Sequence, residues 1–254
     1  MSKNFWLIMF IAMSVIFVPG VVFSQDNVVV IDLDIFVNEV SNNIFRADEL
    51  YDGKRLRVEG YISNFAIDHD NKASIFISAS RGRLLGSLLV SFQSDISVLE
   101  TLSRLEKDQI IIVDGDYSKT LNMRHLINCT IFRLPQPTVS RRILEVGIVH
   151  NAGLLAQQIN DNVIWAYLNY DKKIFMLSGY IREIRKDYFS DTQIIELGGT
   201  VSKRELFDSI DIYLNFSENT KVINLNKGQV LFVEGTIDIL RGSSDRLYNA
   251  RIIN

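Results

Sequence analysis

Side chains able to do chemistry are few in this chain and stand apart from one another. The three histidines are His69, His125 and His150, and no pair has the spacing that puts two imidazoles on one helix face. Asp68, His69 and Asp70 could touch a metal ion, but AIDHDNKA has the composition of a solvated hairpin turn. Cys129, the single cysteine, lies within the apolar run LINCTIF and reads as a buried, inert thiol. No GxSxG, phosphate-binding loop or Cys–His motif occurs, so no catalytic residue, metal ligand or cofactor is assigned and an enzyme is not expected. Asp114 and Glu234 each follow a valine on a strand and read as solvated strand face. One grouping of binding chemistry remains. Arg55, Arg57, Tyr61 and Phe76 should point outward from the first strands, with Arg81 and Arg83 in the loop that follows. Aromatic rings beside arginines can stack planar groups and track phosphates, or contact a peptide or glycan.

The elements that would position these residues are spelled twice. LYDGKRLRVEGYIS (50–63) and NYDKKIFMLSGYIR (169–182) align at an offset of 119, KDQIIIVDGD (107–116) answers KGQVLFVEGT (227–236), and LINCTI answers LYNARI. Matches kept in order at nearly constant offset mean a duplicated domain. Each copy opens on a helical stripe: Phe36, Val40, Ile44, Ala47 and Tyr51, then Leu155, Ile159, Val163, Ala166 and Tyr170, with Asp32 and Asn151 as N-caps. A strand of period two follows, and its apolar parity flips after Ile62 and again after Ile181. A flip of face within a strand requires an inserted residue, that is, a bulge and a bend. Gly60 and Gly179 sit just before it on the inward face, where a missing side chain lets the sheet coil. Two further strands, a helix (shortened in the second copy) and two last strands complete each unit. This order, closed by a bent first strand, predicts a mainly β chain of two tandem five-stranded OB-fold barrels, each preceded by an N-terminal helix.

YDGKRLRVEGYIS, KDQIIIVDGD and LINCTIF resemble the bacterial tRNA_anti-like family of OB-fold domains, over about residues 36–132 and more loosely over 155–253. The chain departs from that pattern at Asp108 and Lys172, where the family has glycine, and at Ala250 near its cysteine position. These are turn and barrel positions, so the resemblance implies the fold and leaves the ligand open.

Lys3, the uncharged run FWLIMFIAMSVIFV, the break at Pro19-Gly20 and Val22-Phe23-Ser24 form a secretory signal pattern with cleavage near Ser24. The run is shorter than the roughly 20 residues that span a bilayer, so no transmembrane anchor is expected after cleavage. The organisation read from this is a signal peptide at 1–24, OB-fold domain 1 at 25–134, a proline-marked linker at 135–142 and OB-fold domain 2 at 143–254. A periplasmic or secreted location follows. The function expected is a non-catalytic binding or structural module of the bacterial envelope, with a protein, peptide or glycan as partner. The alternatives are single-stranded nucleic acid or oligosaccharide on the OB-fold face, and last a hydrolytic enzyme. Residues 25–138 carry 12 Lys and Arg against 16 Asp and Glu. That balance counts against a nucleic-acid partner. Ile174 and Met176 replace Arg55 and Arg57 in the second copy, and an apolar outward row predicts burial in a domain interface.

Overall fold

The computed structural model describes residues 28–68, 70–82, 86–120, 123–134, 141–190, 192–200, 208–239 and 246–253. The signal segment, His69, Arg83 and the prolines of the linker lie outside these residues. In the first unit β1 (Val28–Asp32), α1 (Leu33–Asn42) and α2 (Ile44–Tyr51) precede β2 (Arg55–Ile67), β3 (Ala73–Ser78) and β4 (Leu88–Phe92). Then come α3 (Ile96–Ser103), β5 (Ile110–Thr120) and β6 (Met123–Arg133). The second unit runs β7 (Val149–Asn151), α4 (Ala152–Asp161), α5 (Val163–Tyr170), β8 (Ile174–Lys186), β9 (Gln193–Gly198) and β10 (Ser209–Leu214). A short α6 (Asn219–Val222), β11 (Val230–Asp238) and β12 (Arg246–Ile253) finish it. Each unit is a closed five-stranded barrel. Strand order β2-β3-β4-β6-β5 closes through a β5–β2 pairing, and β8-β9-β10-β12-β11 closes through β11–β8. This is the OB-fold order, twice.

The bend expected in the long first strand is present in both units. The register of β2 against β3 shifts between Ile62 and Asn64, and that of β8 against β9 shifts between Ile181 and Glu183. The strand can therefore pair with β5 through its first half and with β3 through its second, which is what closes the barrel. A Cβ on Gly60 would lie 2.8 Å from Leu33 Cδ2, and one on Gly179 would lie 2.9 Å from the Gly198 carbonyl, so both barrels need the missing side chain. Asp108 and Lys172, the two departures from glycine, hold φ of 66° and 59° in turns whose counterparts are Gly228 and Gly53, at 84° and 69°. The duplication has kept the left-handed backbone even where it gave up the residue that favours it.

Three features differ from the expectation. The opening helical stripe is two helices, because Asn43 and Asn162 adopt extended backbone and accept from the amides of Arg46 and Trp165 (3.1 and 2.9 Å). An asparagine offers its own carbonyl to the next turn and so ends one helix while capping another. The extra strands β1 and β7 run parallel on the outside of β2 and β8. Arg182 is buried, although it opens a run of alternating charges (182–187) that reads from sequence as a solvated strand end. It sits at the bulge, 2 % exposed, paired with Asp208 and donating to the Thr200 carbonyl at 3.0 Å. A Cβ on Gly198 would collide with its guanidinium, so that glycine makes the passage.

The units are joined by α5. Ile164 is fully buried in the core of the first barrel, beside residues such as Leu99, Leu102 and Ile77. Asn162 Nδ2 donates to the carbonyls of Leu102 (3.0 Å) and Leu105 (2.9 Å) at the end of α3. Arg141 adds two more bonds, to Ser103 and Leu105. The contact thus adds side-chain donors to backbone carbonyls at a helix end, where intrahelical donors run out. Ile174 and Met176 do not make it: Ile174 is 54 % exposed and Met176 lies half-buried, paired in register with Val149. Capping α3 demanded a donor as well as apolar area, and α5 supplies both. No helix among the described residues is long and apolar enough to cross a membrane.

Candidate ligand face of the second barrel

The residues singled out in the first unit do not form one site. Arg57 donates through Nε and Nη2 to both oxygens of Asp114 at 2.7 Å, and its guanidinium lies 3.4 Å from the ring centroid of Phe132. Arg55 donates to Asp116 at 2.9 Å. The antiparallel register of β2 on β5 sets Arg55 opposite Asp116 and Arg57 opposite Asp114, so the acidic residues neutralise the row. Asp114 is accordingly 8 % exposed and ion-paired, where a solvated strand face was expected. Tyr61 lies further along β2 with Arg81 over its ring at 5.6 Å, and Phe76 lies opposite Asn64 and Leu89. Arg83 is outside the described residues. Cys129 is buried, and burial pushes its thiol up to about 12, so no thiolate is on hand at neutral pH. Among the described residues no three His, Cys, Asp or Glu side chains gather as a metal site.

The second unit carries the arrangement that the first lacks. β10 and β12 are parallel neighbours, with Asp211 opposite Arg246 and Ile212 opposite Leu247. Ile212 and Leu247 point into the core, so Asp211, Tyr213, Arg246 and Tyr248 share the outer face by strand alternation. There the rings of Tyr213 and Tyr248 stack, with centroids 4.8 Å apart and planes at 22°. The Arg246 guanidinium lies 5.2 Å from the Tyr213 centroid, and its Nη1 donates to Tyr248 Oη at 3.1 Å. On the far half of β8, beyond the bulge, Arg185 donates to Asp211 at 2.6 Å and lies 3.8 Å from Glu196, which accepts from Ser209 Oγ at 3.0 Å. Partial burial raises the Tyr213 phenol above its ordinary range. Beside this face, the β8–β9 turn projects Tyr188 and Phe189, both 92 % exposed and packed edge to face at 5.1 Å.

Register places Leu89, Ser91, His125 and Ile127 of the first unit where the second has Asp211, Tyr213, Arg246 and Tyr248. The paired tyrosines escaped the sequence reading because they come from strands more than thirty residues apart. The signal was available in the duplication itself: DIYL and RLYN carry Tyr where LVSF and HLIN carry Ser and Ile.

No protein-family model matches this chain, and no curated protein matches it. Solved structures match at low similarity. A lipoprotein from Klebsiella pneumoniae, provisionally described as nucleic acid-binding, is 15 % identical with a TM-score of 0.36 over 41 % of this chain and 91 % of its own. An OBody bound to hen egg-white lysozyme is 16 % identical, TM-score 0.26, over 34 % of this chain and 84 % of its own. The single-stranded DNA binding protein of Thermus aquaticus is 12 % identical, TM-score 0.22, over 79 % and 92 %. The OB-fold assignment itself rests on the strand order and closure described above.

One expectation is corrected at this point. Nucleic acid was set aside as a partner, yet proteins described as binding it stand among the matched structures. The expectation had rested on the acidity of the first unit, where the arginines are ion-paired. The stackable rings lie in the other unit.

Proposed function

We propose that this protein is a non-catalytic binding module whose second barrel holds an extended ligand across the outer face of β10 and β12. The observation that carries the reading is the Tyr213–Tyr248 stack with Arg246 over it, on neighbouring strands of an OB-fold sheet. Two rings in line with a guanidinium offer planar surfaces and a cation to successive units of a chain. Single-stranded nucleic acid has both complements, because each base has a π-face and each link a phosphate. The carboxylates of Asp211 and Glu196 beside Arg185 favour a second reading, an oligosaccharide, whose hydroxyls take both donors and acceptors while its ring faces lie on tyrosine. The first barrel, with its arginines neutralised, serves to carry the second.

The signal pattern at 1–24, the domain limits 25–134 and 143–254, the periplasmic or secreted location and membership in the tRNA_anti-like family are proposed on sequence grounds and sit alongside this reading. Fluorescence anisotropy with a labelled oligothymidylate, run beside a labelled chitooligosaccharide, tests it. A nucleic-acid ligand should bind with an affinity that falls steeply as salt rises, and a glycan should bind with little salt dependence. If neither probe binds, the reading is wrong.

A further inference from the structure

The contact that joins the barrels is one instance of a pair that occurs twice in the chain. At the end of the first barrel where β2 and β4 finish, the β2–β3 turn and the C-terminus of α3 form a socket. The start of α5 is its plug: Ile164 enters the barrel core, Asn162 donates to the Leu102 and Leu105 carbonyls, and Tyr167 Oη donates to Asn71 Oδ1 at 3.0 Å.

Both halves have counterparts that carry exposed apolar side chains among the described residues. An offset of 119 carries Asn162 and Ile164 onto Asn43 and Phe45 at the start of α2, and Asn43 caps its helix as Asn162 does. Asn162 and Ile164 are fully buried, whereas Phe45 is 82 % exposed. An offset of 120 carries Leu102, Ser103 and Leu105 onto Val222, Ile223 and Leu225. The socket's backbone is retained there: Leu225 N donates to the Val222 carbonyl at 3.0 Å, as Leu105 N does to Leu102 at 3.1 Å. Ile223 is 83 % exposed. β8 and β10 both run antiparallel to β9, so the turn bearing Tyr188 and Phe189 ends at the same end of the barrel as this second socket. Large apolar side chains exposed on both a plug and a socket whose counterparts already pair once in the chain point to an occupant of the same kind.

We propose that the protein self-associates head to tail, the start of α2 in one copy seating on the open end of the second barrel of another, with Phe45 entering beside Ile223. Plug and socket are different surfaces, so the contact is heterologous and extends into a chain of copies unless its rotation closes a ring. The plug on α2 is the more polar of the two. Asp48 and Glu49 stand where α5 has Tyr167 and Leu168, and Asp48 is already held by Arg124 at 2.6 Å. The contact between copies is therefore weaker than the one within the chain and depends on concentration.

Sedimentation velocity on the full chain, expressed with its own leader, tests this over about a hundredfold range of concentration. The weight-average mass should climb from that of one chain (29.0 kDa with the leader retained) past two chains without stopping there, or stop at a closed ring of more than two. Phe45→Asp and Ile223→Asp should each hold the protein at one chain, with melting temperatures unchanged because both side chains are exposed. An equimolar mixture of the two variants should return to two chains and go no further, since one keeps the socket and the other the plug. If Ile223→Asp fails to fold, Ile223→Ser takes its place. A wild type that stays at one chain, a dimer that mixing does not restore, or association that survives both substitutions, as leader-driven aggregation would, overturns the proposal.

Discussion

The two barrels share a backbone down to its irregularities and differ in what they put on it. Both bend β2 or β8 at the same residue, both hold an asparagine between two helices, and both keep a left-handed residue before β5 and β11. Yet the first barrel places Arg55 and Arg57 against Asp116 and Asp114, where the second sets an exposed Ile174 against Thr236 and Met176 against Glu234. The second stacks Tyr213 on Tyr248, where the first has Ser91 and Ile127. Positions that fix backbone geometry cannot change without opening the barrel, while outward positions are released. Each unit is then free to acquire its own surface: one is closed by ion pairs and by α5, and the other is exposed and aromatic.

The largest effect expected from separating the units is at their junction. Asn162→Ala removes a buried cap from α5 and one donor each from the Leu102 and Leu105 carbonyls, which keep Leu105 N and Arg141 as partners, and should cost about 2–3 kcal/mol. Its counterpart Asn43→Ala loses only an exposed cap, about 1 kcal/mol. Urea denaturation of both variants measures the difference, and equal losses would mean the α5 contact adds nothing. Next is Asp48, which ties α2 to the barrel through Arg124 at 2.6 Å and Tyr117 at 2.5 Å. The Arg124 hydrogen bond leads in holding its carboxyl below the usual range. A carboxyl depressed in the folded state contributes stability above its unfolded value near pH 4 and loses it as pH falls through the folded value. Asp48→Asn should cost about 2–3 kcal/mol at pH 7 and flatten that acid-dependent loss, read from melting temperature against pH. The second barrel has Tyr167 at this position and has no such dependence there.

The glycines at the bends provide the finest comparison. A Cβ on Gly60 has as its nearest neighbour the far end of the Leu33 side chain, with the Ser78 carbonyl at 3.1 Å, whereas one on Gly179 meets the Gly198 carbonyl first, at 2.9 Å, and backbone cannot swing aside. Gly179→Ala should cost about 2 kcal/mol and Gly60→Ala about 1 kcal/mol, within the usual range for overpacking. Thermal melts giving the opposite order would show that the two bends are not built alike.

The barrel architecture was legible in the sequence because the period-two runs, the parity flip after Ile62 and Ile181 and the paired glycines each have one geometric solution. The N-caps Asp32 and Asn151 were legible for the same local reason. What remained hidden depends on which distant residues a fold brings together. Arg55 and Arg57 read as a binding row until the register set aspartates opposite them. Ile174 and Met176 read as the interface, although the contact needed a donor for the carbonyls of α3, and Asn162 was that donor. The tyrosine pair lies on adjacent strands whose pairing is parallel and non-local, and alternation along either strand alone says nothing of it.

The measurement that bears most directly on the division of labour between the barrels is oligothymidylate binding by three variants under one low-salt condition. Tyr213→Ala and Tyr248→Ala should each weaken binding about tenfold or more, as loss of a stacking platform does. Arg57→Ala, which breaks an ion pair in the first barrel, should leave affinity within about twofold, because a neutralised arginine adds no electrostatic footprint. Affinity that falls with Arg57 and not with the tyrosines would place the ligand on the first barrel and contradict the account.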